Sequence, residues 1–219
     1  MRLENVVWDA RDPRRLGGFW AAAVGAELIT DEPDAVEARL RLADDFFLDL
    51  CFQRVVAPST SPARLRPDLS WTSRPDGTGP GVVLADPEGN PFCVLEDNEA
   101  YRDAGPIGVL HLESADPDRD VMFWAQITGW LPWPGPSGAT TLRHPSGVGP
   151  LLELCLEPEP KRGKNRLHLD VRREAWDDEL VERLSDHGAT PLSGPADHPW
   201  LVFADPSGNE FCVLAESRP

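Results

Sequence analysis

Residues 82–96 read VVLADPEGNPFCVLE, and residues 201–215 read LVFADPSGNEFCVLA. The echo continues upstream. Asp12-Pro13, Phe19-Trp20 and Gly25 recur as Asp116-Pro117, Phe123-Trp124 and Gly129, and Leu50-Cys51 recurs as Leu154-Cys155 at the same offset. A fixed period across this many residues marks a duplicated structural unit. The 219-residue chain then divides into two modules, 1–98 and 105–216, with residues 98–106 as the linker. Each falls within the usual domain size of roughly 100 residues.

Composition narrows the partners. Thirty-seven Asp and Glu against 21 Lys and Arg give a formal charge of −16. That charge repels phosphate backbones and anionic lipid, so neither nucleic acid nor membrane is an expected partner. The first ten residues (MRLENVVWDA) contain no apolar leader-like run, so a cytoplasmic location is expected. The four cysteines form two repeated pairs, Cys51/Cys155 and Cys93/Cys212, without CxxC spacing. Free thiols are expected, and no structural zinc knuckle.

Asp12 and Asp116 suit helix N-caps, each followed by Pro at the first helical position. Leu16, Phe19, Trp20, Ala23 and Val24 make one apolar stripe that ends at Gly25. A third helix is predicted over 174–187, with Trp176, Leu180, Val181 and Leu184 on one face. Strands are predicted at 39–43, 46–53, 140–143, 151–156 and 166–171. Stretches 57–67 and 133–138 read as loops, and DPxGN as a tight turn between strands. The order is strand, helix and about three strands, repeated, with about 15 residues missing between Cys51 and Val82 where the third helix would fall.

This βαβββ order, with DP…FW…G, RLHLDV and DPxGNEFCVL in sequence, resembles the glyoxalase-like domains of the vicinal oxygen chelate superfamily. The resemblance covers nearly the whole chain, twice. It implies an α+β fold of tandem modules whose cupped mixed sheets carry helices on the convex face. It also implies a concave face that takes a metal, a small molecule or both. Superfamily members include glyoxalase I, extradiol dioxygenases, epimerases, and resistance proteins that modify or sequester antibiotics.

Strand alternation predicts which side chains face the second module's cup. These are His111 and Glu113, Glu153 and Cys155, Arg166, His168 and Asp170, and Glu210 and Cys212; Trp133 is placed at the rim. The first module offers Val7, Asp9, Asp49, Cys51, Gln53 and Cys93, a poorer set. The superfamily's metal ligands align near Val109, on Arg166 or His168, and on Cys212 and Cys93, so the resemblance implies an eroded metal site.

The leading expectation is a small-molecule-binding or metal-independent protein without a cofactor. Its pocket lies mainly in the second module and takes an apolar or aromatic ligand. His168 would act as acid or base, Arg166 would pair an anionic group, and Glu153 would complete the set. The alternative is a metal-dependent lyase, isomerase or dioxygenase with Zn, Fe, Mn or Ni on His111, His168 and Glu210 or Glu153. A monomer closed as an internal pseudo-dimer, or a homodimer, is expected.

Overall fold

A computed structural model describes residues 1–70, 72, 79–174, 179–192 and 199–216. The elements run β1 (Arg2–Ala10), α1 (Pro13–Val24), β2 (Glu27–Asp31), β3 (Ala35–Ala43), β4 (Phe46–Arg54), β5 (Leu65–Leu69), β6 (Val83–Ala85) and β7 (Pro91–Cys93). The second copy follows with β8 (Ile107–Ser114), α2 (Pro117–Thr128), β9 (Leu131–Pro134), β10 (Thr140–Arg143), β11 (Leu151–Leu156) and β12 (Leu167–Arg172). It ends with α3 (Leu180–Asp186), β13 (Thr190–Pro191), β14 (Leu201–Ala204) and β15 (Glu210–Leu214).

Helix ends form as the sequence dictates. The Asp12 carboxylate accepts from Arg15 N at 3.1 Å, and Asp116 accepts from Arg119 N at 3.1 Å. Gly25 and Gly129 close their helices at φ 67° and 72°, a left-handed conformation that Gly adopts at little cost. α3 is shorter than predicted. Leu180 and Leu184 are buried, but Val181 is exposed; Trp176 lies outside the described residues. Four strands, β2, β5, β9 and the two-residue β13, form where the sequence predicts loop or no element. Pro67 interrupts β5, Pro132 and Pro134 fill β9, and β2 is an exposed edge.

The topology decides where the sites fall. Sheet 1 has the order β13-β14-β15-β12-β1-β4-β3-β2, and sheet 2 the order β5-β8-β11-β10-β9. Hairpin β6-β7 extends sheet 2 through a parallel bridge between Leu69 and Val94. β1 pairs antiparallel with β12, and β5 with β8. Each sheet therefore takes one half from each copy, and neither 1–98 nor 105–216 closes a sheet of its own.

The repeated turns lock the two sheets together. Asp86 Oδ1 accepts from the backbone N–H groups of Glu88 and Asn90, both at 2.9 Å, and its other oxygen accepts from Trp20 Nε1 of α1 at 3.2 Å. Asp205 repeats this with Ser207 N at 2.9 Å, Asn209 N at 2.8 Å and Trp124 Nε1 of α2 at 3.3 Å. Asp205 and Asn209 thus serve their turn. The tryptophans belong to one continuous apolar core. Within it Trp8 stacks on Phe52 at 4.8 Å, and Trp20 and Trp124 meet Phe92 and Phe211 edge-on at 5.2 and 5.5 Å. Trp20, Phe123 and Trp124 are core residues, and Phe19 packs against them partly buried, as their helical spacing predicts.

Candidate functional site

Sheet register divides the predicted site residues between two cups. His111, Glu113, Glu153, Cys155 and Trp133 stand on sheet 2; Arg166, His168, Asp170, Glu210 and Cys212 stand on sheet 1. The set His111, His168 and Glu210 is therefore not assembled. The cause is the pairing of β12 with β1 instead of with β8, which a sequence repeat does not reveal.

In sheet 2, directly opposed residues form one row: Arg66, His111, Glu153, Thr141 and Trp133. Opposed residues share a face, so the five project to the same side. The row above pairs Glu113 with Cys155, and the row below runs Asp68, Val109 and Leu151. Asp68 is 1 % exposed, and its carboxylate is held by Arg66 at 2.9 and 3.0 Å and by Cys93 N at 2.7 Å. His111 Nε2 lies 3.1 Å from Asp68 Oδ2, while Nδ1 lies 3.5 Å from Glu153 Oε1 and 3.2 Å from Cys155 Sγ.

Electrostatics follow from this geometry. Burial pulls the His111 pKa down, but hydrogen bonds with Asp68, Cys155 and Glu153 outweigh it and raise the value to about 11. Asp68 is held below its usual value, since contact with His111 and Arg66 overcomes the burial that would raise it. Burial, helped by the negative charges of Glu153 and Asp68, pushes the Tyr101 phenol up to about 12. Tyr101 belongs to the linker, which with Ser70, Glu96 and Asp103 lines a cavity of about 350 Å³. Glu153 Oε2 is buried and accepts no hydrogen bond. Trp133 is 38 % exposed, with the Arg143 guanidinium 5.1 Å from its ring.

The sheet 1 cup is arranged differently. His168 Nε2 lies 3.3 Å from Asp170 Oδ1, and Asn5 Nδ2 donates to Asp170 Oδ2 at 3.1 Å. Arg39 grips Asp49 at 2.8 and 2.7 Å, and Lys164 pairs with Asp9. Burial pushes the Cys51 and Cys212 thiols upward, reinforced by neighbouring carboxylates. Glu210 is taken by Lys161 at 2.7 Å. Arg166 donates to Glu88 at 3.0 Å, so its charge is already matched.

Two groups of potential metal donors result: His111, Glu153 and Cys155 in sheet 2, and His168, Asp170 and Cys212 in sheet 1. Among the described residues each cup has one histidine, so the two-His, one-carboxylate pattern of non-haem iron oxygenases does not form in either.

The sequence reading missed Arg66 and Asp68. Their signal was present: RLRPDL at 64–69 repeats RLHLDV at 166–171, so Arg66 stands for His168 and Asp68 for Asp170. Pro67 and the surrounding loop-like composition masked the strand.

Comparison with known proteins agrees with this architecture. The profile of the glyoxalase-like domain matches residues 5–78 and 109–214. Glyoxalase I from Zea mays superposes with a TM-score of 0.62 at 16% identity, over 98% of this chain and 92% of that one. A putative dioxygenase from Bacillus subtilis superposes with a TM-score of 0.64 at 14% identity, over 100% of this chain and 86% of that one. Identities this low establish the fold alone. A search of curated proteins finds no match. No helix among the described residues is long and apolar enough to cross a membrane. With the profile matched across both copies, the chain belongs to the glyoxalase-like domain family of the vicinal oxygen chelate superfamily.

Proposed function

We propose that this chain binds a small organic molecule in the concave face of sheet 2. The observation that carries the reading is Glu153 Oε2, a buried carboxylate oxygen without a hydrogen bond beside His111; Asp170 Oδ1 beside His168 in sheet 1 shares that state, but Asp170 and its neighbour Cys212 are only 4 % and 7 % exposed. A buried acceptor left unpaired is costly, and a ligand hydroxyl or amine would satisfy it. In metal-free protein His111 is an imidazolium at neutral pH, held between Asp68 and Glu153. It donates and carries charge; it is not a general base. Arg66, His111, Asp68 and Glu153 balance in charge, so the pocket suits a neutral or zwitterionic ligand. Trp133 offers an apolar face at the rim for an aromatic or aliphatic body.

Chelator-treated protein titrated with small aromatic and aliphatic hydroxy and amino compounds, read by tryptophan fluorescence, tests this. Saturable binding that Glu153→Gln weakens roughly tenfold is expected, the effect of losing one hydrogen bond to a charged group. Absence of saturable binding across the panel, or equal affinity in the variant, contradicts it. A second reading, a metal-dependent lyase or isomerase, is favoured by one observation: the three donor atoms of His111, Glu153 and Cys155 converge in this same cup.

A further inference from the structure

Three side chains of the sheet 2 cup stand in the order thiol, imidazole, carboxylate. Cys155 Sγ lies 3.2 Å from His111 Nδ1, and the other ring nitrogen, Nε2, lies 3.1 Å from Asp68 Oδ2. Asp68 is in turn fixed by Arg66 at 2.9 and 3.0 Å and by Cys93 N at 2.7 Å. A thiol within reach of an imidazole that a third, immobilised group orients is the arrangement of an activated cysteine, on whatever fold it occurs. Chain order hides it, because the three residues come from β5, β8 and β11.

The surroundings let that sulfur react. Cys155 is partly exposed to the cup, whereas Cys51 and Cys212 are buried. Only the thiolate attacks carbon, and a neighbouring cation favours it. His111 sits between the carboxylates of Asp68 and Glu153, which favour the charged ring. The ring is the nearer charge to the sulfur, at 3.2 Å against 3.7 Å for Glu153 Oε1. Glu153 Oε1 is still within reach of the thiol proton, and the second oxygen, Oε2, is buried without a hydrogen bond. Glu153 therefore has an idle atom on which to carry that proton.

We infer that Cys155 is a nucleophile that bonds covalently to the ligand of this cup, and that the ligand is a neutral α,β-unsaturated carbonyl compound with an apolar body. The inference rests on the sheet 2 cup being the ligand site and names its ligand class. The step balances without a further reactant. Cys155 passes its proton to Glu153, Sγ bonds the β-carbon, and the double-bond pair moves onto the carbonyl as an enolate. Glu153 then returns the proton to the α-carbon. The charged ring of His111 faces first the thiolate and then the enolate, and keeps its protons throughout. An ester would need in addition a departing group and donors aimed at its oxyanion. A conjugated carbonyl asks only for a thiol, a proton carrier and one fixed positive charge, all of which stand in the cup. Its balanced charge suits a neutral ligand, and Trp133 offers an apolar face at the rim.

The test uses the full-length, chelator-treated chain with benzylideneacetone, an aromatic enone, and benzylacetone, its saturated analogue, which can bind but not react. Loss of the enone absorption and intact mass follow bond formation, and peptide mapping locates it. One adduct per chain is expected, on Cys155, at a rate that saturates with concentration and exceeds that of N-acetylcysteine about 100-fold. Cys93, the other partly exposed thiol, should lag well behind. Cys155→Ser binds both compounds reversibly and forms no adduct. Asp68→Asn slows the bond-forming step at least about tenfold with Kd unchanged, as expected of a residue that orients the ring. Circular dichroism confirms that each variant is folded, and Glu153→Gln, which removes the proton carrier, replaces Asp68→Asn if that variant does not fold. Equal rates at Cys93 and Cys155, a Cys155 rate no faster than N-acetylcysteine, or a wild-type rate in folded Asp68→Asn overturns the inference. Reversible benzylacetone binding with no adduct from the enone would sink this inference alone. A fast adduct on Cys155 whose rate never saturates, with no benzylacetone binding, would sink the functional reading alone.

Discussion

The Arg166 guanidinium donates to the Glu88 carboxylate at 3.0 Å and to the Glu88 carbonyl at 3.2 Å, joining the entry to β12 to the turn between β6 and β7. Glu88 also accepts from the backbone N–H groups of Arg11 and Asp12, both at 2.8 Å, just ahead of α1. One carboxylate thus gathers three segments from both copies. Arg166→Ala should lower stability by about 1–3 kcal/mol, the cost of leaving a buried charged group short of a partner. Ligand affinity should stay at the wild-type value. Urea unfolding beside a binding isotherm checks this, and a loss of affinity with unchanged stability would return Arg166 to the pocket.

Gly17 sits where α1 crosses β3 and β4. A Cβ there would lie 2.5 Å from Val36 Cγ1 and 3.0 Å from Phe52 Cδ2. Val121 occupies the corresponding position of α2, so the second copy tolerates a side chain that the first does not. Gly17→Val should destabilise by about 1–3 kcal/mol through overpacking. Val121→Gly, on the partly buried face of α2, should cost about 1 kcal/mol, through lost packing against the core together with a few tenths of a kcal/mol of helix propensity. Thermal melts of both variants distinguish the two costs.

Asp205 is buried at 2 % exposure, and burial, partly offset by hydrogen bonds from Asn209, raises its pKa from 3.8 to about 6. A group whose folded pKa is raised contributes stability that is full below the unfolded value and is lost as pH rises through the folded value. The wild type should therefore lose this contribution between pH 4 and about pH 6. Asp205→Asn removes the titration, so the stability difference between the two proteins should change across that window and level off above it. A flat difference from pH 4 to 7 would show that Asp205 titrates normally.

Thiol reactivity should follow burial. Cys51 and Cys212 are 4 % and 7 % exposed with raised pKa values, whereas Cys155 is partly exposed in the cup. Only the thiolate reacts, so iodoacetamide should label Cys155 well before Cys51 and Cys212 in native metal-free protein. Peptide mass spectrometry gives the order.

The fold was legible where local chemistry decides the outcome. Asp12 and Asp116 cap their helices, Gly25 and Gly129 end them, and Asp86 and Asp205 tie their turns. These contacts lie within a few residues, so the sequence carries them directly. The pairing of β1 with β12 and of β5 with β8 was not legible, because duplicated halves present nearly the same edges to one another. That single choice moved His168 away from His111 and Glu153. Asp68 was hidden for a different reason: Pro67 beside it argues against a strand, yet β5 bonds fully along one side only, where Pro is tolerated.

The proposed ligand site is the sheet 2 cup, assembled from β5, β8 and β11, and not the sheet 1 cup. Matched lesions decide it. Ligand titrations by tryptophan fluorescence on His111→Asn and His168→Asn, each confirmed folded, compare the two cups in one experiment. Binding should be lost in His111→Asn and kept in His168→Asn. Binding kept in His111→Asn and lost in His168→Asn would contradict it.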